Sequence, residues 1–322
     1  CAYKIRTDNY TVPTVEDLPT LVRELDELWQ RRIIRESGID AYDFSHDKLR
    51  EVAYLGISHT RRRINHLHIA QALEKIYTDS QGAVSSQLAA HYEKAGKLEE
   101  AAAFSLRAAG VARSVYANDE AVVLLKHGLS LADSLRNSGQ VSDGIHQTTF
   151  ELWEALGDVL ALMLRHDEAL SAYHHAQGYI ADGNRITQSR LQRKAGSVFR
   201  EQRRYAEDLS ACQMAESALA SEPAEHSSLW WDEWLEVKVE QVWANYWLGK
   251  WHEMETLVDE VSPIVHQRGT QSNRMRVLMA SCLMHLRRER YTVSDEMLAN
   301  SREALAASQE CGNSRAEVDC QF

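Results

Sequence analysis

The sequence predicts an all-α chain, a solenoid of stacked helical hairpins behind a small segment that holds a β-hairpin. Three observations carry this. Four prolines, Pro13, Pro19, Pro223 and Pro263, are spread over 322 residues, so long helices are permitted almost everywhere. Ala, Leu, Glu and Arg, all strong helix formers, are abundant. From Val84 onward the helical patterns come in pairs, the mark of a repeat whose units cannot bury their apolar faces alone. Apolar residues make up 44% of the chain, enough for a continuous core.

Residues 1–57 stand apart. Leu18, Leu21, Val22, Leu25 and Leu28 recur at helical spacing and predict one amphipathic helix. The β-branched run Arg32–Glu36, the turn signal Ser37-Gly38 and the short run Ala41–Phe44 predict a hairpin. Ser45 suits the N-cap of a following helix whose apolar positions are Leu49, Val52 and Ala53. Helix, hairpin, helix reads as the tail of a winged-helix module. Ser58 to Ile76 is predicted as one helix with Ile64, Leu67, Ala70, Ala72 and Leu73 as its buried stripe. Residues 58–136 then supply linking helices and the first hairpins, and 137–322 supply further repeats. The first residue is Cys1, and Asn313–Phe322 reads as the start of another helix, so a piece of a larger protein is expected.

The clearest repeat is Trp153-x-x-Leu156-Gly157-x-x-Leu160, followed by Ala169, Tyr173 and Ala176. It resembles the tetratricopeptide repeat, which implies a right-handed superhelical solenoid. Small residues at Gly157, Ala169 and Ala176 would let two helix backbones approach, while Trp153, Leu160 and Tyr173 fill the gaps between turns. Leu88-Ala89-x-x-Tyr92 with Ala101 and Ala108 is a second copy, and Ala195-Gly196-x-x-Phe199 with Tyr205 and Ala215 a third. Trp251 and Tyr291 mark later turns. The marker positions Ala169, Asp208, Met254 and Ser294 lie 39, 46 and 40 residues apart, longer than the usual period of about 34. Stacking leaves a surface whose usual use is to bind a protein or peptide.

Composition excludes several roles. The net charge is −11 and the pI about 5.7, which argues against direct nucleic-acid contact. Five scattered cysteines without a C-x-x-C pair read as free thiols in a reducing compartment, and with no apolar stretch long enough to span a bilayer a cytoplasmic protein is expected. His66 and His68, and His174 and His175, diverge on their helices, so no metal site is predicted. Arg61-Arg62-Arg63 and Arg287-Arg288 read as solvated faces or partners of nearby glutamates, with a phosphate contact as the alternative for the first run, which lies near the winged helix.

A second resemblance rests on Leu25–Tyr54, on Arg61–Glu74, on Gln87-Leu88-Ala89-Ala90-His91-Tyr92-Glu93-Lys94-Ala95-Gly96 and on Val115–Ala121. These stretches look like the end of the nucleotide-binding module and the adjoining helices of bacterial STAND-class signal-transduction ATPases, a class that includes large transcriptional activators. In that class a His-Asp pair of the winged helix contacts the bound diphosphate nucleotide. Phe44-Ser45-His46-Asp47 resembles the motif, which implies that His46 would reach a phosphate of ADP and Asp47 would support the local structure. The alternative reading is that both simply cap a helix. No G-x-x-x-x-G-K-[ST] loop occurs in these residues, so ADP or ATP is expected only in a parent protein, and no enzymatic role is expected here.

Six of eight tryptophans, Trp230, Trp231, Trp234, Trp243, Trp247 and Trp251, fall in one hairpin. Trp243, Trp247 and Trp251 share a stripe at i, i+4 spacing. Such a stripe is ordinarily core, and it is also the candidate partner-binding face, since aromatics dominate interface hot spots. The functional expectation is the regulatory arm of a STAND-type regulator, taking a protein, peptide or small inducer in its groove. The alternative is a passive interaction scaffold.

Overall fold

The computed structural model describes residues 18–37, 42–78, 80–140, 142–181, 183–220, 227–288 and 293–310. Among them are fourteen α-helices and one two-stranded sheet. The markers Tyr291 and Asn313–Phe322, and the turn residues Gly38 and Ala41, lie outside them. The chain forms two compact units, residues 1–145 and 146–322.

The first unit opens with α1 (Leu18–Gln30), β1 (Ile34–Glu36), β2 (Tyr42–Phe44) and α2 (Asp47–Gly56). The strands pair antiparallel, with Ile34 opposite Phe44. Then come α3 (His59–Ile76), α4 (Ser85–Ala95), α5 (Leu98–Ser114) and α6 (Asn118–Asn137). Two sequence expectations are corrected here. Ser45 does not cap α2, since its hydroxyl donates to the carbonyls of Arg32 (2.5 Å) and Ile33 (3.1 Å) and ties the end of β2 to the start of β1. The helices expected at Leu18–Leu28 and Leu49–Ala53 form as α1 and α2, with Val22 at 49% exposure and Val52 at 67%. On α3 the buried positions are His66 and Ala70, while Ile64 is 47% exposed.

The second unit holds most of α7 (Asp143–Leu162), then α8 (His166–Gln177), α9 (Arg185–Glu201), α10 (Tyr205–Leu219), α11 (Ser228–Leu248), α12 (Trp251–Arg268), α13 (Gln271–Arg288) and α14 (Asp295–Glu310). One turn recurs throughout the chain. Lys97, Ala117, Arg165, Arg204 and Lys250 each precede a helix with φ from −96° to −81° and ψ from 61° to 73°. The backbone N–H of each donates to a carbonyl five residues back, on Tyr92, Ala112, Leu160, Phe199 and Asn245, at 2.8–3.0 Å. This closes the preceding helix as a Schellman motif and starts the next one at once. The residue before each is left-handed. Gly96 and Gly249 take that place without strain, whereas Tyr116, Leu164 and Arg203 hold φ near 60° despite their side chains.

The turn fixes the register of the copies and shows how each hairpin closes. In the α7–α8 hairpin a Cβ on Gly157 would overlap the Tyr173 ring, with Cδ1 at 2.6 Å. Leu156, Leu160, Ala169, Tyr173 and Ala176 are buried, and Trp153 stacks on His175 at 4.5 Å. In the α9–α10 hairpin a Cβ on Gly196 would meet Asp208 Oδ1 at 2.9 Å. Counted from the same turn, α11 and α12 place Val242 and Val258 where Gly157 and Tyr173 stand, and the two valines share a buried cluster with Met254. A large residue facing glycine is exchanged for two of middle size. Gly157→Val alone is therefore expected to cost about 3 kcal/mol by overpacking. Adding Tyr173→Val is expected to recover more than half of that in a urea-unfolding double-mutant cycle. Additive losses would refute the pairing. In the α4–α5 hairpin Leu88, Ala101 and Ala108 are buried, and Tyr92 stacks on Phe104 at 5.5 Å.

Candidate functional site

His46 and Asp47 sit at the start of α2, both exposed. His46 occupies the N-cap position with an extended backbone and makes no side-chain capping bond. Asp47 accepts from Arg50 Nη1 at 2.8 Å, and Arg50 Nη2 donates to Asp43 at 2.8 Å. The hydrogen bond from Arg50 holds the Asp43 carboxyl below its usual range.

Behind this segment lies a site that sequence reading missed. Tyr54 of α2 bonds His66 Nε2 at 3.1 Å, and His66 Nδ1 meets His91 Nδ1 of α4 at 3.0 Å. Arg62 stacks on the Tyr54 ring at 5.1 Å. Burial, with Lys94 and Arg62 nearby, pushes His66 down. Burial, with His66 and Lys94, pushes His91 down to about 4. Both rings are thus neutral at pH 7, and a shared N···N contact requires one to donate and the other to accept. The separation of 25 residues between the partners gave no local pattern to read.

In the second unit the first helices of successive hairpins carry a ladder of alternating charge. On α7, Glu154 and Asp158 are acidic. On α9, Arg190 and Lys194 pair with Glu154, each at 2.8 Å, and Lys194 also reaches Asp158 at 2.9 Å. Further along α9, Arg193 forks onto Glu233 of α11 at 2.8 and 2.9 Å, and Arg200 contacts Glu240. Arg276 of α13 donates to Glu240 at 2.9 Å and lies 3.5 Å from Glu236. Burial lowers Arg200 and Arg276, although carboxylates oppose it. For Arg193 burial acts the same way, but Glu233 outweighs it and the net direction is up. Asp208, fully buried beside Gly196, is pushed up to about 6 by burial, against the pull of Arg200. A cleft of about 330 Å³ adjoins the ladder, with Arg190, Asp232, Glu233, Glu236 and Asn273 in its wall. Asn273 is 2% exposed, and its Oδ1 has no hydrogen-bond partner among the described residues.

The tryptophan stripe divides between core and surface. Trp243 packs on both buried clusters of α11, α12 and α13. Trp247 is 51% exposed and stacks on Tyr205 at 5.5 Å. Trp251 borders an open cleft of about 540 Å³ with His252, Glu255, Met284, Arg287 and Arg288. All three rings meet the Tyr246 ring, at 5.6, 5.0 and 5.6 Å, with Trp243 turned to the core and Trp247 to the surface. Trp230, Trp231 and Trp234 form an aromatic cluster at the start of α11, where Trp230 donates to the Leu219 carbonyl at 3.2 Å.

No protein-family description matches the chain, and no curated protein matches it. Solved structures do, 48 chains in all. The crystal structure of the apo form of RapI aligns over 86% of this chain and 79% of its own, with a TM-score of 0.54 and 11% identity. A structure of BtubC (BKLC) from P. vanneervenii aligns over 82% and 88%, with a TM-score of 0.39 and 12% identity. The RapI likeness speaks for the fold alone, a helical-repeat solenoid. No helix among the described residues is long and apolar enough to cross a membrane, and no group of His, Cys, Asp or Glu among them is arranged to hold a metal ion.

Proposed function

We propose that this chain is the regulatory and sensor arm of a STAND-type ATPase that acts on transcription, taking a protein, peptide or small inducer on its repeats and passing the event to the helix–hairpin–helix segment. The observation that carries the binding role is the polar first-helix face of α7, α9, α11 and α13. Apolar contact would suffice for a stack that only held itself together, since buried ion pairs add little net stability. Here a charged, hydrogen-bonding surface borders a cleft with the Asn273 amide oxygen left over. A ligand of mixed polarity, such as an extended peptide, fits such a surface.

Support for the nucleotide link is the resemblance around His46 and Asp47, together with their place at a helix start with uncapped backbone N–H groups. His46→Ala, in a chain that carries a nucleotide-binding core ahead of Leu18, is expected to weaken ADP binding at least tenfold by calorimetry, an effect of about 1.4 kcal/mol. Equal affinity in a folded variant would leave the passive scaffold as the reading to keep. That second reading draws on the exposure of both residues, whose only described side-chain bond is Asp47 to Arg50.

A further inference from the structure

The cleft at the junction of α12 and α13 has a chemistry that the charge ladder does not share. Arg287 lies 3.9 Å from the Trp251 ring centroid and 5.6 Å from that of Tyr246. Its guanidinium is held by two aromatic faces and has no carboxylate partner among the described residues. Stacking uses the face of the guanidinium and leaves its N–H edge able to fork onto an oxyanion. Arg288 stands beside it and pairs with Glu255 at 3.2 Å, so among the described residues the cleft has one guanidinium more than carboxylates, in a chain of net charge −11. His252 adds a further donor. Trp251 and Met284 supply an apolar wall, and about 540 Å³ is room for a side chain or a small organic acid.

We propose that this cleft binds a carboxylate that carries an aromatic or apolar group next to it, from either a free organic acid or the C-terminal residue of a peptide. A single free guanidinium suits a monoanion. The ring of the bound group lies against Trp251 and Met284 while the carboxylate takes the edge of Arg287. The site is separate from the ladder, and it stands whether or not the repeats answer to a nucleotide.

The test is calorimetry of the whole chain with five probes: phenylacetate, phenethylamine, inorganic phosphate, and the tripeptide Gly-Gly-Phe with a free or an amidated C-terminus. Phenylacetate or the free-acid peptide is expected to bind with a dissociation constant on the order of 0.1–1 mM. Phenethylamine is expected not to bind. Arg287→Gln, at an exposed position and checked by circular dichroism, is expected to weaken binding about tenfold or more, and Arg287→Lys to weaken it less, because it keeps the charge and loses the fork. Binding by phenylacetate without the peptide assigns a free acid. Binding by the peptide that amidation abolishes assigns a chain terminus. Four results would each overturn the proposal: no binding by either acid, equal binding by the amidated peptide, unchanged affinity in Arg287→Gln, or inorganic phosphate bound as tightly as phenylacetate.

Discussion

Glu240→Ala is expected to cost the second unit about 3–5 kcal/mol, the largest loss for any single side chain discussed for it. The Glu240 carboxylate is 8% exposed and faces two guanidiniums, Arg276 at 2.9 Å and Arg200 in direct contact. Burial already presses both arginines towards the neutral form, and Glu240 is the carboxylate the two share, beside Asp208 at 3.8 Å from Arg200 and Glu236 at 3.5 Å from Arg276. Alanine removes the carboxylate that both share and leaves each with one more distant partner, in a region of low polarity where desolvation has been spent and most of the Coulomb gain is gone. The companion variant separates this from simple loss of packing. Arg200→Met with Glu240→Leu and Arg276→Leu removes every charge of the triad at similar volume; Asp208 and Glu236 lose these arginines, so the variant is expected to be less stable than the natural chain but more stable than Glu240→Ala by at least about 1 kcal/mol. Urea midpoints at constant m-value read both. A triple variant as damaged as Glu240→Ala would mean that shape, not charge, decides this site.

The hairpins were legible where glycine marks the crossing. Gly157 and Gly196 name their own partners, because a backbone that approaches a ring or a carboxylate leaves no room for a Cβ. The same rule hides the α11–α12 hairpin, where Val242 facing Val258 fills the same space with no small residue to see. The turns were half legible. Gly96 and Gly249 announce a left-handed residue, but Tyr116, Leu164 and Arg203 adopt it because the Schellman bonds on either side demand it, which no propensity reveals.

The ladder was not read at all, since each arginine and glutamate looked like ordinary surface charge within its own helix. A signal was present over longer range. Arg193 pairs with a glutamate 40 residues away, Arg190 and Lys194 with carboxylates 36 away, and Arg276 with both spacings at once. Between α7 and α9 and between α11 and α13 the 40-residue spacing is close to the repeat and 36 is one helical turn less, while between α9 and α11, where the repeat is 46, a spacing of 40 falls short of it. The Arg287-Arg288 run reads as a solvated face or as partners of nearby glutamates. Arg288 fits that reading, but Arg287 rests on rings contributed by the α11–α12 hairpin.

Acid is expected to loosen the first unit through His91. This ring is 8% exposed, and burial, with His66 and Lys94, lowers it from the ordinary 6.5 to about 4. Between those two values the unfolded chain carries a proton that the folded chain refuses. Stability from this group is therefore complete above about pH 6.5 and is lost as the pH falls towards 4. The difference corresponds to roughly 3 kcal/mol at full effect. The charged groups that face the pair, Arg62 on α3 and Lys94 on α4, are both cations and deepen the penalty, and His66 moves in the same direction. The second unit runs the other way. Asp208 is raised from 3.8 to about 6, so its contribution is fullest below about pH 4 and declines as the pH rises through 6. Whole-chain unfolding would blend the two trends, and the readout has to be local. Hydrogen exchange of the α4 amides is expected to speed up steadily from pH 7 to pH 4 beyond its intrinsic pH dependence, and His91→Phe is expected to flatten that trend. A His91 imidazole that titrates near 6.5 by NMR would sink the prediction. Because Tyr54 reaches His66 directly, the hold of α2 on α3 is expected to weaken over the same pH range. Exchange of the α2 amides reads that weakening independently of α4.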